Sequence, residues 1–173
     1  MIENVPYNVN PKLIRLTPGA CEGLKIMQKN GFKIFIFSNQ SGLARGYFML
    51  PALNKAFKTI EKLLESSGVN IDGFYFCPHL PQGLIKTYAK VCSCRKPKTG
   101  MLKKAREKFN LDLKNCWVVG DILNDIETGN RAGCRSILVD NGHETEWLTG
   151  KFRTPEYKAS DLLDAANFII KNE

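Results

Sequence analysis

The chain has 173 residues, of which 43% are apolar and 24% are charged. This length and balance are typical of one soluble domain with a sizeable core, so we expect a single domain over residues 1–173. No apolar stretch approaches the roughly 18 residues of a membrane span, and the first residues lack the character of a signal peptide. We therefore expect a cytoplasmic monomer with no membrane partner.

The formal net charge of +8 permits an anionic partner. The Lys and Arg residues are scattered through the chain, however, and form no basic run. This distribution favours a solvated basic surface, and no nucleic-acid partner is expected.

Apolar runs alternate with helical periods along the chain. The predicted strands are residues 33–37, 73–77, 116–119 and 135–139, and the predicted helices begin after Thr17, near Leu53, at Thr99, after Asp121 and at Ser160. Strands alternating with helices predict a doubly wound parallel α/β sheet. Ligands of such sheets bind at the carboxyl ends of the strands, where the polar residues of this chain are expected to meet.

Two closely spaced ligand pairs stand in the middle of the chain. Cys77 and His79 form the first, and Cys92 and Cys94 form the second. Three thiolates and one imidazole suit a closed tetrahedral zinc site, which would be structural and would staple the loop 77–94. In a protein without an export signal, clustered cysteines favour metal binding over disulfides.

Arg95 and Lys96 follow the last of these ligands directly. A lysine can neutralise a phosphoryl oxygen as a point charge, and an arginine can clamp phosphate or sugar hydroxyls. The position beside the metal loop favours this function over a solvent-facing basic pair.

Polar groups also follow two predicted strands. Ser38, Asn39, Gln40 and Ser41 offer hydroxyl, amide and backbone donors for an anion, although such residues are also common in ordinary turns. Asp121 stands at a strand end, where a lone carboxylate can hold Mg²⁺. Asp125 is expected to cap a helix or brace the loop, and both acids would also complement a helix dipole.

Taken together, residues 38–46, 77–79, 92–97 and 119–121 resemble the haloacid dehalogenase (HAD) superfamily of phosphatases. More narrowly, they resemble the D-glycero-D-manno-heptose-1,7-bisphosphate 7-phosphatases and the related histidinol-phosphatases. The resemblance extends from Ile2 to the last helix, and the zinc pairs joined to Arg-Lys-Pro are its most specific part.

The resemblance implies a Mg²⁺-dependent phosphomonoesterase acting on a small phosphorylated sugar. It assigns catalytic roles to Ser38, which would bond the phosphoryl group, and Lys96, which would neutralise it. Asp121 would hold Mg²⁺, and Arg95 would select the substrate. The remaining substrate-binding residues that it implies are Asn4, Val5, Pro6, Tyr7, Asn39, Gln40 and Ser41.

One expected motif is missing from this sequence. The family's nucleophile and its acid/base are the aspartates of an Asp-x-Asp motif after the first strand, and none of the seven aspartates here stands two residues from another. Residues 2–7 resemble the segment that comes directly after that motif in the family. A central strand with the motif, about ten to fifteen residues, is thus expected to be absent.

Two explanations of this absence remain open. Either the start is assigned too late, which we favour because the other site residues are present, or the product is a truncated, inactive remnant that only binds ligand. The expected substrate is heptose 1,7-bisphosphate, hydrolysed at the 7-phosphate, and the alternative is histidinol phosphate or another small phosphomonoester.

Overall fold

The computed structural model describes residues 1–3 and 5–173. Helices and strands alternate along the chain, as the hydrophobic pattern predicts. They are α1 (Ala20–Lys29), β1 (Phe35–Asn39), α2 (Gly42–Arg45), α3 (Leu50–Glu65), β2 (Gly73–Cys77), α4 (Gly100–Phe109), β3 (Trp117–Gly120), α5 (Leu123–Ala132), β4 (Arg135–Val139), β5 (Tyr157–Ala159) and α6 (Leu162–Lys171).

The strands form two parallel sheets. β1 pairs with β2, from Phe35 opposite Gly73 to Asn39 opposite Cys77. β4 lies between β3 and β5 in the second sheet. The predicted parallel α/β architecture is therefore confirmed.

Within the described residues, each sheet ends on both sides in a strand with one unpaired edge, and β1 and β3 are two of these four outer strands. Within residues 1–3 and 5–173, β1 pairs only with β2, and β3 pairs only with β4. All residues of β1 and β3 are half-buried, whereas Ser136–Leu138 of β4 are buried. β1 and β3 are thus outer strands whose residues are only partly buried.

The larger of two hydrophobic clusters packs against both sheets. It includes Ile34 beside β1, Leu64 from α3, Ile137 from β4 and Ile169 from α6. Partly buried side chains from β1, β2 and β3 pack on the same core. The shared core holds the carboxyl ends of the strands in one region of the molecule, where the candidate site lies.

The structure differs from the prediction at several elements. β3 runs from Trp117 to Gly120, one residue later than predicted. β1 includes Ser38 and Asn39, which were expected in a turn, because backbone pairing with β2 continues to Cys77 and overrides their turn propensity. The cap of α6 is Asp161, whose carboxylate accepts a bond from the Asp164 N–H at 2.8 Å, and not Ser160. α2 and β5 are too short for periodicity to predict them.

No helix in the described part of the chain is long and apolar enough to cross a membrane.

The buried thiol of Cys134 predicts a loss of stability at alkaline pH. Burial, with a smaller contribution from Cys116, raises the pKa of the Cys134 thiol from 9.0 to about 12. The contribution of the buried neutral thiol to stability is complete below the pKa that Cys134 has in the unfolded chain. It is lost as the pH rises through the pKa of the folded protein, because the unfolded chain releases its proton first. Urea unfolding from about pH 8 to about pH 11 should show a steeper fall for the unmodified protein than for Cys134→Ala. Equal slopes would contradict this assignment.

Candidate active site

The candidate site lies at the carboxyl ends of three strands. Ser38 and Asn39 end β1, Cys77 ends β2, and Asp121 follows the last residue of β3. The sequence predicts this convergence. The structure adds the contacts that hold each side chain.

Lys96 is the most strongly anchored side chain of the site. Its backbone N–H donates to Asn39 Oδ1 at 3.0 Å, and Asn39 Nδ2 donates to the Lys96 carbonyl at 3.2 Å. The ammonium donates to the Phe37 carbonyl at 3.1 Å and lies 2.5 Å from the Asp125 carboxylate. The Lys96 and Asp125 side chains are only 13% and 8% exposed, so this is a buried ion pair. A cation is thereby fixed between the end of β1 and the first turn of α5.

Asp125 reaches Lys96 because Gly120 leaves room for it. A Cβ atom at Gly120 would lie 2.2 Å from the Asp125 Cβ, so any other residue would push the carboxylate away. The Asp125 N–H also donates to the Ile122 carbonyl at 2.9 Å, which fixes the turn before α5. The sequence predicts a cap or a brace for Asp125, and the structure gives it the second role, as the counter-ion of Lys96.

The donor turn after β1 is held by β2. The Gln40 N–H donates to the Cys77 carbonyl at 2.7 Å, which extends the strand pairing by one residue. The Gln40 amide donates to Ser38 Oγ at 2.8 Å, and Ser41 is buried at the start of α2. The turn is thus rigid, with the Ser38 hydroxyl already oriented by a neighbour.

Asp121 has a partner that sequence reasoning missed. His143 Nδ1 lies 2.6 Å from Asp121 Oδ2, and the neighbouring Glu144 accepts a bond from the Leu123 N–H at 2.6 Å. Both residues follow the carboxyl end of β4, so the parallel topology was the one available signal that they would reach this edge. The two contacts attach the loop after β4 to the candidate site.

The four predicted metal ligands come together. Their donor atoms, from Cys77, His79, Cys92 and Cys94, all lie within 4.8 Å of one another. The closest thiol pair, Cys94 and Cys77, is 3.1 Å apart, and His79 Nδ1 lies 3.3 Å from Cys94 Sγ. The structure therefore has a cluster of the size and composition that a tetrahedral metal site requires.

Burial and neighbouring groups shift the pKa values of the cluster residues. Burial raises the pKa of the Cys77 thiol, and the neighbouring thiols of Cys94 and Cys92 raise it further. Burial lowers the pKa of His79, and the positive charges of Lys90 and Lys104 lower it further. The lowered pKa favours the neutral imidazole, which is the form that binds metal.

Arg95 connects the cluster to the rest of the site. Its guanidinium donates to the His79 carbonyl at 3.3 Å, and Lys98 donates to the Cys92 carbonyl at 2.8 Å. The predicted adjacency of the metal loop and the basic pair is therefore also a spatial contact.

The N-terminal segment lies beside α2. Tyr7 has a positive φ of 55°, and its ring makes an edge contact with Tyr47 at 4.9 Å between centroids. Val5, Pro6 and Tyr7 are exposed. Asn4, the other residue predicted to bind substrate here, lies outside the described residues.

Loss of the Asp125 carboxylate should destabilise the fold. Asp125→Ala leaves the buried Lys96 ammonium without its counter-ion, at an expected cost of about 3–5 kcal/mol in the free energy of unfolding. The double variant Lys96→Met/Asp125→Ala should recover part of that loss, because no buried charge then remains unpaired.

Chemical denaturation provides the measurement, and Lys33→Met provides the control. Lys33 pairs with Asp72 at 3.6 Å but is 57% exposed, so its removal should cost less than about 1 kcal/mol. Similar losses for Asp125→Ala and Lys33→Met would contradict the buried ion pair.

This chain is similar to known phosphatases and matches a family of hydrolases. The HAD-hydrolase-like family model matches residues 93–165. The D-glycero-alpha-D-manno-heptose-1,7-bisphosphate 7-phosphatase of Photorhabdus laumondii is 40% identical over 124 residues, which cover 71% of this chain and 68% of that protein. The beta-heptose counterpart of Escherichia coli K12 is 34% identical over 154 residues, covering 89% of this chain and 74% of that enzyme.

A solved structure is similar over almost the whole chain. The D,D-heptose 1,7-bisphosphate phosphatase of B. bronchiseptica, complexed with magnesium and phosphate, superimposes with a TM-score of 0.85 at 27% identity. The match covers 99% of this chain and 93% of that chain.

Proposed function

The chain belongs to the D-glycero-D-manno-heptose-1,7-bisphosphate 7-phosphatase family of HAD-like hydrolases, and on that premise we propose that it binds a sugar bisphosphate for hydrolysis of one phosphate ester. The proposed substrate is D-glycero-D-manno-heptose 1,7-bisphosphate, and the proposed scissile bond is at the 7-phosphate. The observation that carries the proposal is the buried Lys96 ammonium, held on the carbonyl of Phe37, the residue before Ser38. Residues 1–173 would act as one domain, and the cytoplasmic location and monomeric state stay predictions.

Lys96 is suited to binding the reacting phosphoryl group. An ammonium has three donors, of which the Phe37 carbonyl accepts one, while the Asp125 carboxylate pairs with the charge. The ammonium would donate a further hydrogen bond to a phosphoryl oxygen. A cation held in advance in a partly dry site stabilises developing negative charge without reorganisation.

The donor turn supplies the other contacts in this proposal. Ser38 would donate its hydroxyl to the phosphoryl group while accepting from Gln40. Asn39, Gln40 and Ser41 would line the substrate beside it, and Arg95, held on the His79 carbonyl, would select among sugars.

Asp121 fits a magnesium ion by the chemistry of its donors. Mg²⁺ prefers carboxylate oxygens and usually binds through one or two of them plus phosphate and water. The Asp121 carboxylate is 46% exposed at the strand end, whereas Asp125 is engaged by Lys96. Magnesium bound there would polarise the phosphoryl oxygens.

The proposal requires a carboxylate nucleophile that the described residues do not supply. Asp125 neutralises Lys96, and Asp121 contacts His143, so neither is placed for attack in this arrangement. The nucleophile and the acid/base would come from an Asp-x-Asp motif beyond these 173 residues. Without one, the chain would bind ligand and not turn it over, which is the second candidate function.

Hydrolysis of heptose 1,7-bisphosphate tests the proposal. The protein preceded by a strand that ends in Asp-x-Asp should release one phosphate per substrate in the presence of Mg²⁺. Lys96→Met in that background should lower the rate by at least about a hundredfold, because it removes a preorganised charge.

The 173-residue chain is the matched control, and we expect it to bind the substrate without releasing phosphate. Faster release from histidinol phosphate than from the heptose would favour the alternative substrate. No release from either substrate by the extended protein would rule out the phosphatase proposal.

We propose that the Cys77, His79, Cys92 and Cys94 cluster holds a structural zinc ion. Three thiols and one imidazole fill four positions, which leaves no coordination site for a reaction. The ion would hold loop 77–94 against Arg95, and thus position the basic pair.

Metal analysis tests this assignment. The purified protein should contain about one zinc ion per chain, and Cys92→Ser should lower both the zinc content and the thermal midpoint. Cys21→Ser, outside the cluster, is the control and should keep its zinc. Full thermal stability after complete zinc removal would contradict a structural role.

A further inference from the structure

Three side chains beside the donor turn form a cluster, of which Arg45 and Tyr47 have no role above and Tyr7 is an expected substrate contact. Arg45 ends α2, and its guanidinium carbon lies 6.0 Å from the centroid of the Tyr7 ring. The Tyr7 ring meets the Tyr47 ring edge to face, with 4.9 Å between centroids and an angle of 86°. We call Arg45, Tyr7 and Tyr47 the α2 cluster.

Arg45 is a cation with no counter-ion in the part of the chain that the structure describes. Among the described residues, no carboxylate lies within ion-pair distance of it, and its Nε is buried without a hydrogen-bond partner. A partly buried guanidinium left unpaired costs free energy, whereas a bound anion would satisfy it with charge-assisted hydrogen bonds. The unsatisfied group therefore favours an anionic ligand.

The two tyrosines offer an apolar surface next to this cation. Tyr7 is 48% exposed and Tyr47 is 59% exposed, although both rings are large. Tyr7 also holds a positive φ of 55°, a conformation that is uncommon for a bulky residue and often marks a functional position. Exposed aromatic rings beside an arginine suit a ligand that has both a carbon skeleton and an anionic group.

The packing of α2 makes this cluster rigid. A Cβ atom at Gly42 would lie 2.3 Å from the Phe48 ring, so Phe48 packs directly on the backbone of the helix. On the metal loop, the Ile85 N–H donates to the Ala44 carbonyl at 2.9 Å. Arg45 is thus held about one helical turn, roughly 6 Å along the axis, beyond Ser41 of the donor turn.

From these observations we infer that the α2 cluster is a specificity subsite for the non-reacting end of a sugar bisphosphate. Arg45 binds the second phosphate, and the rings of Tyr7 and Tyr47 pack on the carbon chain. This inference rests on the proposed function, because it takes the first phosphate to lie at Ser38 and Lys96. It predicts selectivity for a bisphosphate over inorganic phosphate.

Calorimetric titration of the 173-residue protein with Mg²⁺ present tests the subsite without turnover. The probes are heptose 1,7-bisphosphate and inorganic phosphate. Arg45→Met should weaken bisphosphate binding by at least about tenfold, since a charge-assisted contact is lost. Inorganic phosphate binding should change less than about twofold.

Matched variants isolate each part of the cluster. Tyr47→Phe keeps the ring and should bind the bisphosphate like the unmodified protein, whereas Tyr47→Leu should weaken it. Arg106→Met, at an exposed position of α4, is the control for loss of one positive charge and should change neither affinity. Thermal midpoints equal to that of the unmodified protein show that the variants are folded.

The possible results separate this inference from the proposed function. Equal weakening of both probes by Arg45→Met, or no weakening of either, overturns the subsite. Selective weakening supports it. Selective weakening together with no hydrolysis by the protein that carries an added Asp-x-Asp strand would count against the phosphatase proposal and leave the subsite supported.

Discussion

The buried ion pair between Lys96 and Asp125 connects the two halves of the molecule. The sheets share no strand pairing within residues 1–3 and 5–173, yet the Lys96 ammonium contacts the Phe37 carbonyl of β1 and the carboxylate that follows β3. Burying a cation is costly unless its partners are well placed, and here a carbonyl and a carboxylate provide that compensation. The same contacts hold the charge where the strands end, so the stability of the fold and the electrostatics of the candidate site depend on one group.

The metal-ligand cluster also helps to fix the position of Lys96. No helix or strand lies in the described chain between the end of β2 at Cys77 and the start of α4 at Gly100, so regular hydrogen bonding does not order this segment. The cluster gathers both ends of the loop, and Cys94 immediately precedes Arg95. The backbone bonds of Asn39 then fix Lys96 itself. Because Arg95 and Lys96 follow Cys94 directly, the geometry of the ligand cluster also sets the positions of these two cations.

Much of this arrangement could be predicted from the sequence. β2 and β4 have the predicted bounds, since each is an apolar run with a clear polar or glycine boundary, and the spacing of the cysteines and His79 predicts their cluster. Long-range contacts could not be predicted. Nothing near Asp125 indicates that it pairs with Lys96, because Gly120 permits that contact only once β3 and α5 are packed. The contacts of His143 and Arg45 likewise depend on the topology, which brings segments distant in sequence to one edge of the sheets.

A crystal structure of the protein soaked with Mg²⁺ and inorganic phosphate would test the central claim most directly. The claim is that the Lys96 ammonium, anchored between the two sheets, forms the phosphate site. The expected result is a phosphate within hydrogen-bond distance of both Ser38 Oγ and Lys96 Nζ, with the cation on the Asp121 carboxylate. A phosphate bound elsewhere on the basic surface, with the Lys96 ammonium contacting only Phe37 and Asp125, would contradict it.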